Sequence, residues 1–289
     1  MPTLPPERAP RSTQQPHQHR SVAESFGADA ERYDRTRPGY PQALVDRIVT
    51  ACPGPAPDLL DVGCGTGIAA RQFAAAGCRV LGVDPDARMA GIARRSGLQV
   101  EVATIEAWDP AGRTFDAVVS GQTWHWVDPV AGAAKAALAL RPGGPLALFW
   151  NGGRPAPELA AAFAEVYRRV APDALAARQW SRPTADPYAE LCARAAEGIR
   201  AVGAFGEPEQ WRHAWERSYT RAQWLDQLPT TGGHHQLPPA VLDEVLLGVG
   251  TAIDAVGGSF TMRYTTLAVT AVRTAAPTTT APHRDLTAG

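Results

Sequence analysis

A regular alternation of short apolar strands and helix-length segments begins at Asp58 and continues to Trp150. The predicted strands are apolar runs that end near Gly, Asp or Ser: 58–62, 78–83, 98–103, 115–120 and 146–150. Helices are predicted between them at 67–76, 86–96 and 128–140. A connection that contains a helix is long enough for the dozen or more residues that a parallel crossover needs, so strands joined in this way are predicted to run parallel. The pattern predicts an α/β fold with a Rossmann-like, doubly wound, mainly parallel sheet that is covered on both faces.

The second half of the chain is less regular. Residues 209–219 and 259–273 are predicted strands that form an antiparallel edge hairpin, which completes a seven-stranded sheet. Helices are predicted at 157–171, 187–203 and 239–256. We expect the helices at 157–203 and 220–235 to form an insertion, or lid, over the site.

Two of the predicted helices carry apolar residues at every fourth position, which is typical of a face turned toward a core. In 128–140 these residues are Val130, Ala134 and Leu138. In 239–256 they are Val241, Val245, Val249 and Ile253.

The chain has 289 residues, a length that suits one large domain with a lid. Composition divides it into five parts. These are a disordered tail at 1–20, N-terminal lid helices at 21–57, a Rossmann-like core at 58–152, a helical insertion with the closing strands at 153–273, and a second disordered tail at 274–289.

Charge and composition exclude several classes of protein. The net charge of −1 argues against a nucleic-acid partner or an anionic membrane surface, and no apolar run is long enough to span a bilayer. The four cysteines form no CxxC pair and are predicted to be buried thiols, so no metal is expected. We expect a cytoplasmic protein.

The segment from Asp61 to Gly67 is the clearest sign of a nucleotide site. Its glycines at 63, 65 and 67 lie between a strand and a helix, where they permit a tight turn and close approach of a ligand. Ile68 stands where the GxGxxG fingerprint of dinucleotide sites needs glycine, which disfavours NAD. Asp84 ends the next strand and could accept hydrogen bonds from both ribose hydroxyls of an adenosine.

Residues 22–151 resemble class I S-adenosylmethionine-dependent methyltransferases. Three motifs carry the resemblance: Leu60 to Gly67, Gly82 to Pro85, and Leu140 to Gly144 before the fifth strand. The chain is also similar to a bacterial small-molecule subgroup with an Ala-x-x-Tyr-Asp-x-x-Arg-Pro-x-Tyr-Pro segment, here 30–41, and a Trp-His-Trp motif, here 124–126.

The resemblance implies S-adenosyl-L-methionine as cofactor and a set of residues that bind it. These are Asp61, Gly63, Cys64, Gly65, Gly67, Asp84, Pro85, Met89, Thr104, Ile105, Glu106, Ser120, Gln122 and Tyr33. The match is imperfect at 103–106, where relatives often carry Gly or Asp and Ala. For Asp61 a second interpretation stays open, in which the carboxylate only orients the glycine loop.

The Trp-His-Trp motif follows the fourth strand, where open parallel sheets bind ligands. His125 is the candidate catalytic base for an acceptor that must lose a proton. Trp124 and Trp126 are candidate substrate contacts, since aromatic faces attract a sulfonium. In the alternative interpretation all three side chains cap the sheet, with the imidazole bonded to the backbone.

Aromatic and basic residues in 22–41 form a second group of candidates. Phe26, Arg37 and Tyr40 are predicted to bind the substrate, with Arg37 paired to a carboxylate. The alternative is a packed helix with Arg35 and Arg37 in solvent. Further aromatic residues could line a lid that suits a flat acceptor, or could be core anchors: Trp180, Trp211, Trp215 and Trp224. His234 and His235 are interpreted as the tip of a loop.

The sequence therefore predicts an enzyme that methylates a small organic acceptor, plausibly a secondary metabolite, on carbon or oxygen. The alternative is a related enzyme that couples methylation to cyclisation or does other chemistry with the same cofactor. A third class is an RNA or protein methyltransferase, of which the RNA enzyme is disfavoured, since the chain has near-zero net charge, a single lysine and no basic–aromatic cluster. A homodimer is compatible with the sequence.

Overall fold

The computed structural model describes residues 25–174, 177, 180, 188–231 and 233–275. The tail predicted at 1–20, and 276–289 of the other predicted tail, lie outside the described residues. None of the described helices is both long and apolar enough to cross a bilayer.

The described residues form nine α-helices and seven strands. The helices are α1 (Ala30–Thr36), α2 (Gln42–Thr50), α3 (Ile68–Ala75), α4 (Ala87–Arg95), α5 (Pro129–Ala139), α6 (Pro157–Val170), α7 (Ala189–Val202), α8 (Arg221–Gln227) and α9 (Pro239–Asp254). The strands are β1 (Asp58–Val62), β2 (Arg79–Asp84), β3 (Gln99–Val102), β4 (Ala117–Gly121), β5 (Pro145–Arg154), β6 (Glu209–Thr220) and β7 (Ser259–Val272). Short 3₁₀ turns occupy Ser25–Asp29, Trp124–Trp126, Leu228–Thr230 and His234–Gln236.

All seven strands belong to one sheet in the order β3-β2-β1-β4-β5-β7-β6. Strands β1 to β5 pair in parallel, whereas β7 pairs antiparallel with both β5 and β6. The chain therefore reverses its strand order beside β1, which opens a crevice at the carboxyl ends of β1 and β4. The predicted fold class and antiparallel edge pair are confirmed.

Apolar residues cover both faces of the sheet. Leu60, Val118 and Leu148 belong to one buried cluster, and Leu59 and Val119 to a second cluster on the opposite face. This explains why the parallel strands have continuous apolar sequences. A third cluster joins α6, α8 and α9 to the ends of β6 and β7, and it includes three of the residues predicted as the stripe of α9: Val245, Val249 and Ile253.

The apolar residues at fourfold spacing in α5 do not form its buried face. Val130 is 46% exposed and Leu138 is 67% exposed, whereas Gly132, Ala133 and Ala136 are buried. The small face is buried because α7 packs closely against α5: a Cβ added to Gly198 would lie 2.5 Å from the Pro129 carbonyl oxygen. Helices that approach so closely select small residues, whatever the spacing of the larger ones.

The N-terminal segment bridges the two halves of the chain. On α1, Asp34 pairs with Arg71 of α3 at 2.6 Å, and Arg32 pairs with Asp226 of α8 at 2.9 Å. Beyond α1, the Gln72 side-chain amide makes two hydrogen bonds with the backbone of Tyr40: its Oε1 accepts the Tyr40 N–H and its Nε2 donates to the Tyr40 carbonyl, at 2.8 Å each. These contacts hold residues 25–41 across the crevice.

Candidate active site

A cavity of about 590 Å³ occupies the crevice at the carboxyl ends of β1, β2, β4 and β5. The N-terminal segment, the glycine loop, the Trp124–Trp126 turn and the insertion all contribute to its wall. One end holds the carboxylates of Asp61, Asp84 and Asp86. The wall elsewhere is largely aromatic and carries Arg37 and Arg154.

The glycine loop needs glycine for two different reasons. Gly63 has a φ of +66° and faces the cavity, and a Cβ there would lie 2.0 Å from Thr123 Cγ2. Gly67 has a φ of +89°, and a Cβ there would lie 2.4 Å from Leu98 Cδ1. Gly67 is not part of the cavity wall. It shapes the start of α3, whereas the sequence predicted direct contact with the cofactor.

The Asp84 carboxylate links the end of β2 to the glycine loop. One oxygen accepts the Gly65 amide at 2.8 Å, and the other accepts the Asp86 amide at 2.9 Å. Burial raises the pKa of Asp84 to about 6, although these two hydrogen bonds oppose the rise. Each carboxylate oxygen keeps further acceptor capacity, which a ligand diol can use.

Asp61 is 1% exposed, and its two carboxylate oxygens have no hydrogen-bond partner among the described residues. Burial, followed by the charge of Asp84, raises the pKa of Asp61 to about 7, and the nearby Ala70 amide offsets only part of this rise. A buried carboxylate without a partner is costly, and a cation from a ligand would remove that cost. This favours direct contact with a ligand over a purely structural role for Asp61.

Most of the predicted cofactor and substrate residues meet at the cavity. Those that line it are Phe26, Tyr33, Arg37, Tyr40, Asp61, Gly63, Cys64, Gly65, Asp84, Pro85, Met89, Gln122, His125 and Trp126. Those that do not are Gly67, Thr104, Ile105, Glu106, Ser120 and Trp124.

The residues outside the wall make contacts elsewhere, and their predicted roles at the cofactor stay predictions. Ser120 is fully buried and its hydroxyl donates to the Val62 carbonyl at 2.8 Å, which ties β4 to β1. Ile105 is 3% exposed in the core. Thr104 accepts the Ala107 amide at 3.4 Å, and Glu106 accepts the Asp128 amide at 3.1 Å.

The Trp-His-Trp motif forms a 3₁₀ turn that sends its three side chains in different directions. Trp124 is 2% exposed and packs in the core over Gly132 of α5, so its predicted contact with substrate is not supported. His125 and Trp126 line the cavity, with their ring centroids 4.6 Å apart.

The environment of His125 does not suit the predicted general base. Its Nδ1 accepts a hydrogen bond from Trp150 Nε1 at 3.3 Å, so the neutral ring carries its proton on Nε2 and acts as a donor there. Burial, with a smaller effect of the Arg194 charge, lowers the pKa of His125 to about 4. A nitrogen this weakly basic gains little by taking a proton at neutral pH.

The depressed pKa makes His125 a source of acid instability. Its folded pKa of about 4 lies below the unfolded value of 6.5, so its contribution is complete above pH 6.5 and is lost as pH falls toward 4. We expect the wild type to lose about 2–3 kcal/mol more unfolding free energy than His125→Gln between pH 7 and 4.5. Urea denaturation of both proteins at both pH values measures this. Equal losses would contradict it.

Arg35 and Arg37 lie in different environments, although one interpretation of the sequence placed both in solvent. Arg35 is exposed on α1 and pairs with Asp226 at 3.0 Å. α1 ends at Thr36, and the extended backbone of Arg37 turns its side chain into the cavity wall, 4.9 Å from the centroid of the Tyr33 ring. Arg37 therefore lines the cavity, and its pairing with a substrate carboxylate stays a prediction.

The insertion supplies an aromatic end of the cavity. Trp180 and Trp224 line it and also belong to the core of the insertion, so both interpretations hold for them. Trp211 and Trp215 are not part of the wall. The Arg47 guanidinium carbon lies 3.7 Å from the centroid of the Trp211 ring, and Trp215 stacks on Tyr264 with ring centroids 4.3 Å apart.

Several wall residues were missed by sequence analysis, among them Asn151, Arg154, Tyr188, Gln227 and Tyr264. They come from the end of β5, the insertion and β7. No local motif marks them, because distant segments of the chain bring them together.

His234 is buried, at 2% exposed, and lines the cavity, which corrects its interpretation as a loop tip. Its Nδ1 contacts the Thr231 carbonyl oxygen, an acceptor only, so Nδ1 carries the proton. Its Nε2 therefore accepts the Tyr167 hydroxyl at 2.5 Å. The described part of the chain holds no group of three or more His, Cys, Asp or Glu residues suited to a metal ion.

Comparison with known proteins agrees with the geometry of the cavity. The sequence of residues 33–149 matches the family profile described as a methyltransferase domain. Residues 33–149 are thus similar to a methyltransferase domain, and we call this segment the methyltransferase domain. S-adenosyl-L-methionine is the cofactor of that family.

Relatives of the methyltransferase domain cover only part of the chain. An uncharacterized methyltransferase of Mycobacterium tuberculosis is 37% identical over 134 residues, which are 46% of this chain and 54% of that protein. A ubiquinone biosynthesis O-methyltransferase of Methylocella silvestris is 42% identical over 93 residues, 30% of this chain and 36% of that protein. The aligned region thus spans about half or less of these relatives.

A solved structure described as a type II methyltransferase from Anaeromyxobacter dehalogenans shares the fold of most of this chain. It superposes with a TM-score of 0.60, covers 82% of this chain and 97% of its own, and is 24% identical. This likeness extends beyond the methyltransferase domain into the second half of the chain, where it supports the fold.

The residues of the methyltransferase domain fit the cofactor of its family. Asp61 is a buried carboxylate without a partner, and S-adenosyl-L-methionine carries an ammonium and a sulfonium that can supply the missing positive charge. Asp84 offers free acceptor capacity to a ribose diol while it holds the Gly65 amide. Gly63 lines the cavity and lets the loop pass against Thr123, where a Cβ would lie 2.0 Å from Thr123 Cγ2.

Proposed function

We propose that the chain is an S-adenosyl-L-methionine-dependent methyltransferase for a small organic acceptor, of the kind made in secondary metabolism, with methylation on carbon or oxygen. The observation that carries the proposal is the cavity at the switch point of the sheet, where Asp61 lacks a partner and Asp84 holds the glycine loop. The bound cofactor would supply the methyl group as an electrophile.

In this proposal the chain contributes position and charge. Asp84 would hold the ribose diol, Asp61 would face the ammonium group, and Met89 and Pro85 would border the adenine. Methyl transfer is an in-line displacement, so a closed and dry site that aligns the acceptor supplies most of the rate enhancement. Trp126 offers an aromatic face beside the positive charge.

An acceptor hydroxyl or acidic carbon also needs a base. The lone pairs of the two cavity histidines are both engaged: His125 Nδ1 accepts the Trp150 indole N–H, and His234 Nε2 accepts the Tyr167 hydroxyl. The proposal therefore assigns neither of them as the base.

The size and wall of the cavity support a small acceptor. A volume of about 590 Å³ lies within the range of small-molecule sites and must hold the cofactor as well. The similarity to a ubiquinone biosynthesis O-methyltransferase supports O-methylation within this proposal. The subgroup with the Trp-His-Trp motif, a cytoplasmic location and a homodimer also belong to the proposal.

The alternative enzyme, which couples methylation to cyclisation, uses the same cofactor residues and an equally closed site. NMR of the purified product separates the two: both products gain the same mass, but only cyclisation forms a new ring.

The ion pairs of Asp226 should matter modestly for closure of the site. Asp226→Ala removes the carboxylate that pairs with Arg32 and Arg35 of α1, which frees α1 from α8. We expect the cofactor KM to rise about 3–5-fold, since exposed or half-exposed pairs contribute up to about 1 kcal/mol. Steady-state kinetics measure this. Glu165→Ala, which removes a surface pair within α6, is the control and should leave KM unchanged.

The proposal as a whole is tested by incubating the full chain with methyl-labelled S-adenosyl-L-methionine and a library of small organic acids, phenols and amines. We expect the label to pass to at least one compound with equimolar release of S-adenosylhomocysteine. Transfer only to protein or RNA, supplied in parallel, would contradict the small-molecule assignment.

A further inference from the structure

The cavity wall carries a cation for which the described residues provide no acidic partner. Arg37 lines the cavity and makes no ion pair with any carboxylate of the described chain. Its guanidinium faces phenol groups: burial, the largest influence on the pKa of Arg37, lowers it, but Tyr33, Tyr188 and Tyr264 raise it above its ordinary value. A positive charge in this setting calls for an anion from a ligand.

Arg37 has phenols from both halves of the chain beside it. Its guanidinium carbon lies 4.9 Å from the centroid of the Tyr33 ring. Tyr188 and Tyr264, which belong to the second half of the chain, line the same cavity and act on the pKa of Arg37. An anion at Arg37 would therefore have the aromatic end of the cavity beside it.

The same end holds two buried polar atoms with no partner in the described part of the chain, the Trp224 indole N–H and the Gln227 carbonyl oxygen. Trp224 is 4% exposed and Gln227 is 3% exposed, yet both line the cavity. Tyr264 lies between Arg37 and Gln227, near enough to both for each to act on its pKa. Buried polar atoms are normally satisfied, so these two also point to a ligand.

Aromatic side chains make up much of the wall between these groups. Trp126, Trp180, Tyr188 and Tyr264 line the cavity, and Trp215 supports Tyr264 from behind by stacking at 4.3 Å. Rings in such a slot favour a planar molecule, because stacking excludes water from both of its faces.

We infer that the methyl acceptor is a planar carboxylic acid whose carboxylate pairs with Arg37 and whose opposite polar substituent hydrogen-bonds to Trp224 and Gln227. This inference rests on the proposed function and names the substrate class of the same site. It makes Arg37, Trp224 and Gln227 the residues that determine acceptor specificity. The cofactor also has a carboxylate, so the experiment must separate the two sources of the anion.

The test uses the full chain with saturating S-adenosylhomocysteine and three probes: 4-hydroxybenzoate, its neutral match 4-hydroxybenzamide, and the non-planar cyclohexanecarboxylate. Ligand-detected NMR titration measures each dissociation constant. We expect 4-hydroxybenzoate to bind at least about 10-fold more tightly than either of the other probes, as a charge-assisted hydrogen bond and ring stacking each contribute over 1 kcal/mol. Equal binding of the acid and the amide would overturn the inference without any variant.

Variants then assign the residues. Arg37→Gln should remove the preference for the acid, whereas Arg35→Gln, which removes an exposed charge from the same segment, should keep it. Gln227→Leu should weaken the binding of 4-hydroxybenzoate but leave the binding of benzoate unchanged, because benzoate lacks the hydroxyl that would bond to Gln227. Melting curves establish that each variant is folded, and Arg37→Lys, which retains the charge, should retain part of the preference.

Cofactor binding distinguishes the remaining outcomes. If Arg37→Gln weakens S-adenosylhomocysteine but not 5′-methylthioadenosine, which lacks the carboxylate, Arg37 holds the cofactor and the inference is wrong. If the wild type binds S-adenosylhomocysteine but none of the planar acids, the inference fails while the proposed function stands. If S-adenosylhomocysteine itself does not bind, the proposed function fails.

Discussion

Replacing Asp61 by asparagine should stabilise the ligand-free protein and weaken its binding of the cofactor. The folded pKa of Asp61 is about 7, above the unfolded value of 3.8, so the carboxylate costs nothing below pH 3.8, its cost grows as pH rises from 3.8 to 7, and the full cost is present above pH 7. Asparagine removes that cost. We expect Asp61→Asn to raise the unfolding free energy by about 3–5 kcal/mol at pH 8 and far less at pH 4.5.

The same substitution removes the carboxylate that would face the ammonium group of the cofactor. We expect S-adenosylhomocysteine to bind about 10–100-fold more weakly, as is usual for the loss of a charged hydrogen bond. Urea denaturation and calorimetry measure the two effects. A variant that is less stable at pH 8, or that binds normally, would contradict the assignment.

Asp116 offers a matched control for Asp61. It is a buried carboxylate at 7% exposure, but it accepts the Asp58 amide at 2.8 Å and pairs with Arg141 at 2.5 Å. Asp116→Asn should therefore lower stability at pH 8, because a satisfied carboxylate is lost, and it should leave cofactor binding unchanged.

Replacing Asp84 by alanine should have the larger effect on binding. The carboxylate would accept both ribose hydroxyls, and it also holds the Gly65 amide at 2.8 Å, so its loss removes a ligand contact and loosens the loop. We expect affinity for S-adenosylhomocysteine to fall about 30–150-fold, from about 2–3 kcal/mol of charge-assisted hydrogen bonding. Calorimetric titration measures this.

Asp46→Ala is the control for Asp84→Ala. Asp46 lies on the exposed surface of α2 and accepts only from Gln42 among the described residues. Its removal should leave affinity unchanged. A normal affinity in Asp84→Ala would show that the ribose is held elsewhere and would contradict the role of this strand end.

The features that sequence analysis predicted well are local ones. β1, the glycine loop and Asp84 follow one another within 27 residues, from 58 to 84, and their pattern depends on backbone conformations that only glycine adopts easily. Alternation of strand and helix then fixes parallel pairing, and parallel pairing fixes the edge at which the cavity opens.

The features that it missed depend on packing between distant segments. Ser120 ends a strand beside the cavity, but its hydroxyl turns to the neighbouring strand, which no spacing in β4 reveals. Trp124 and Trp126 are two residues apart, yet the turn buries one and sends the other to the cavity. Gln227 and His234 reach the wall only because the insertion folds back over the sheet.

The central claim is that this cavity binds S-adenosyl-L-methionine through Asp61 and Asp84, and proton linkage tests it most directly. Both carboxyls have raised pKa values without ligand, about 7 and about 6, and hydrogen bonding to a cation and a diol lowers them. Calorimetry of the full chain with S-adenosylhomocysteine at pH 6.5, in two buffers of different ionisation enthalpy, should give 1:1 binding with release of protons and no binding of NAD. Absence of binding, or binding with no proton release, would contradict the account.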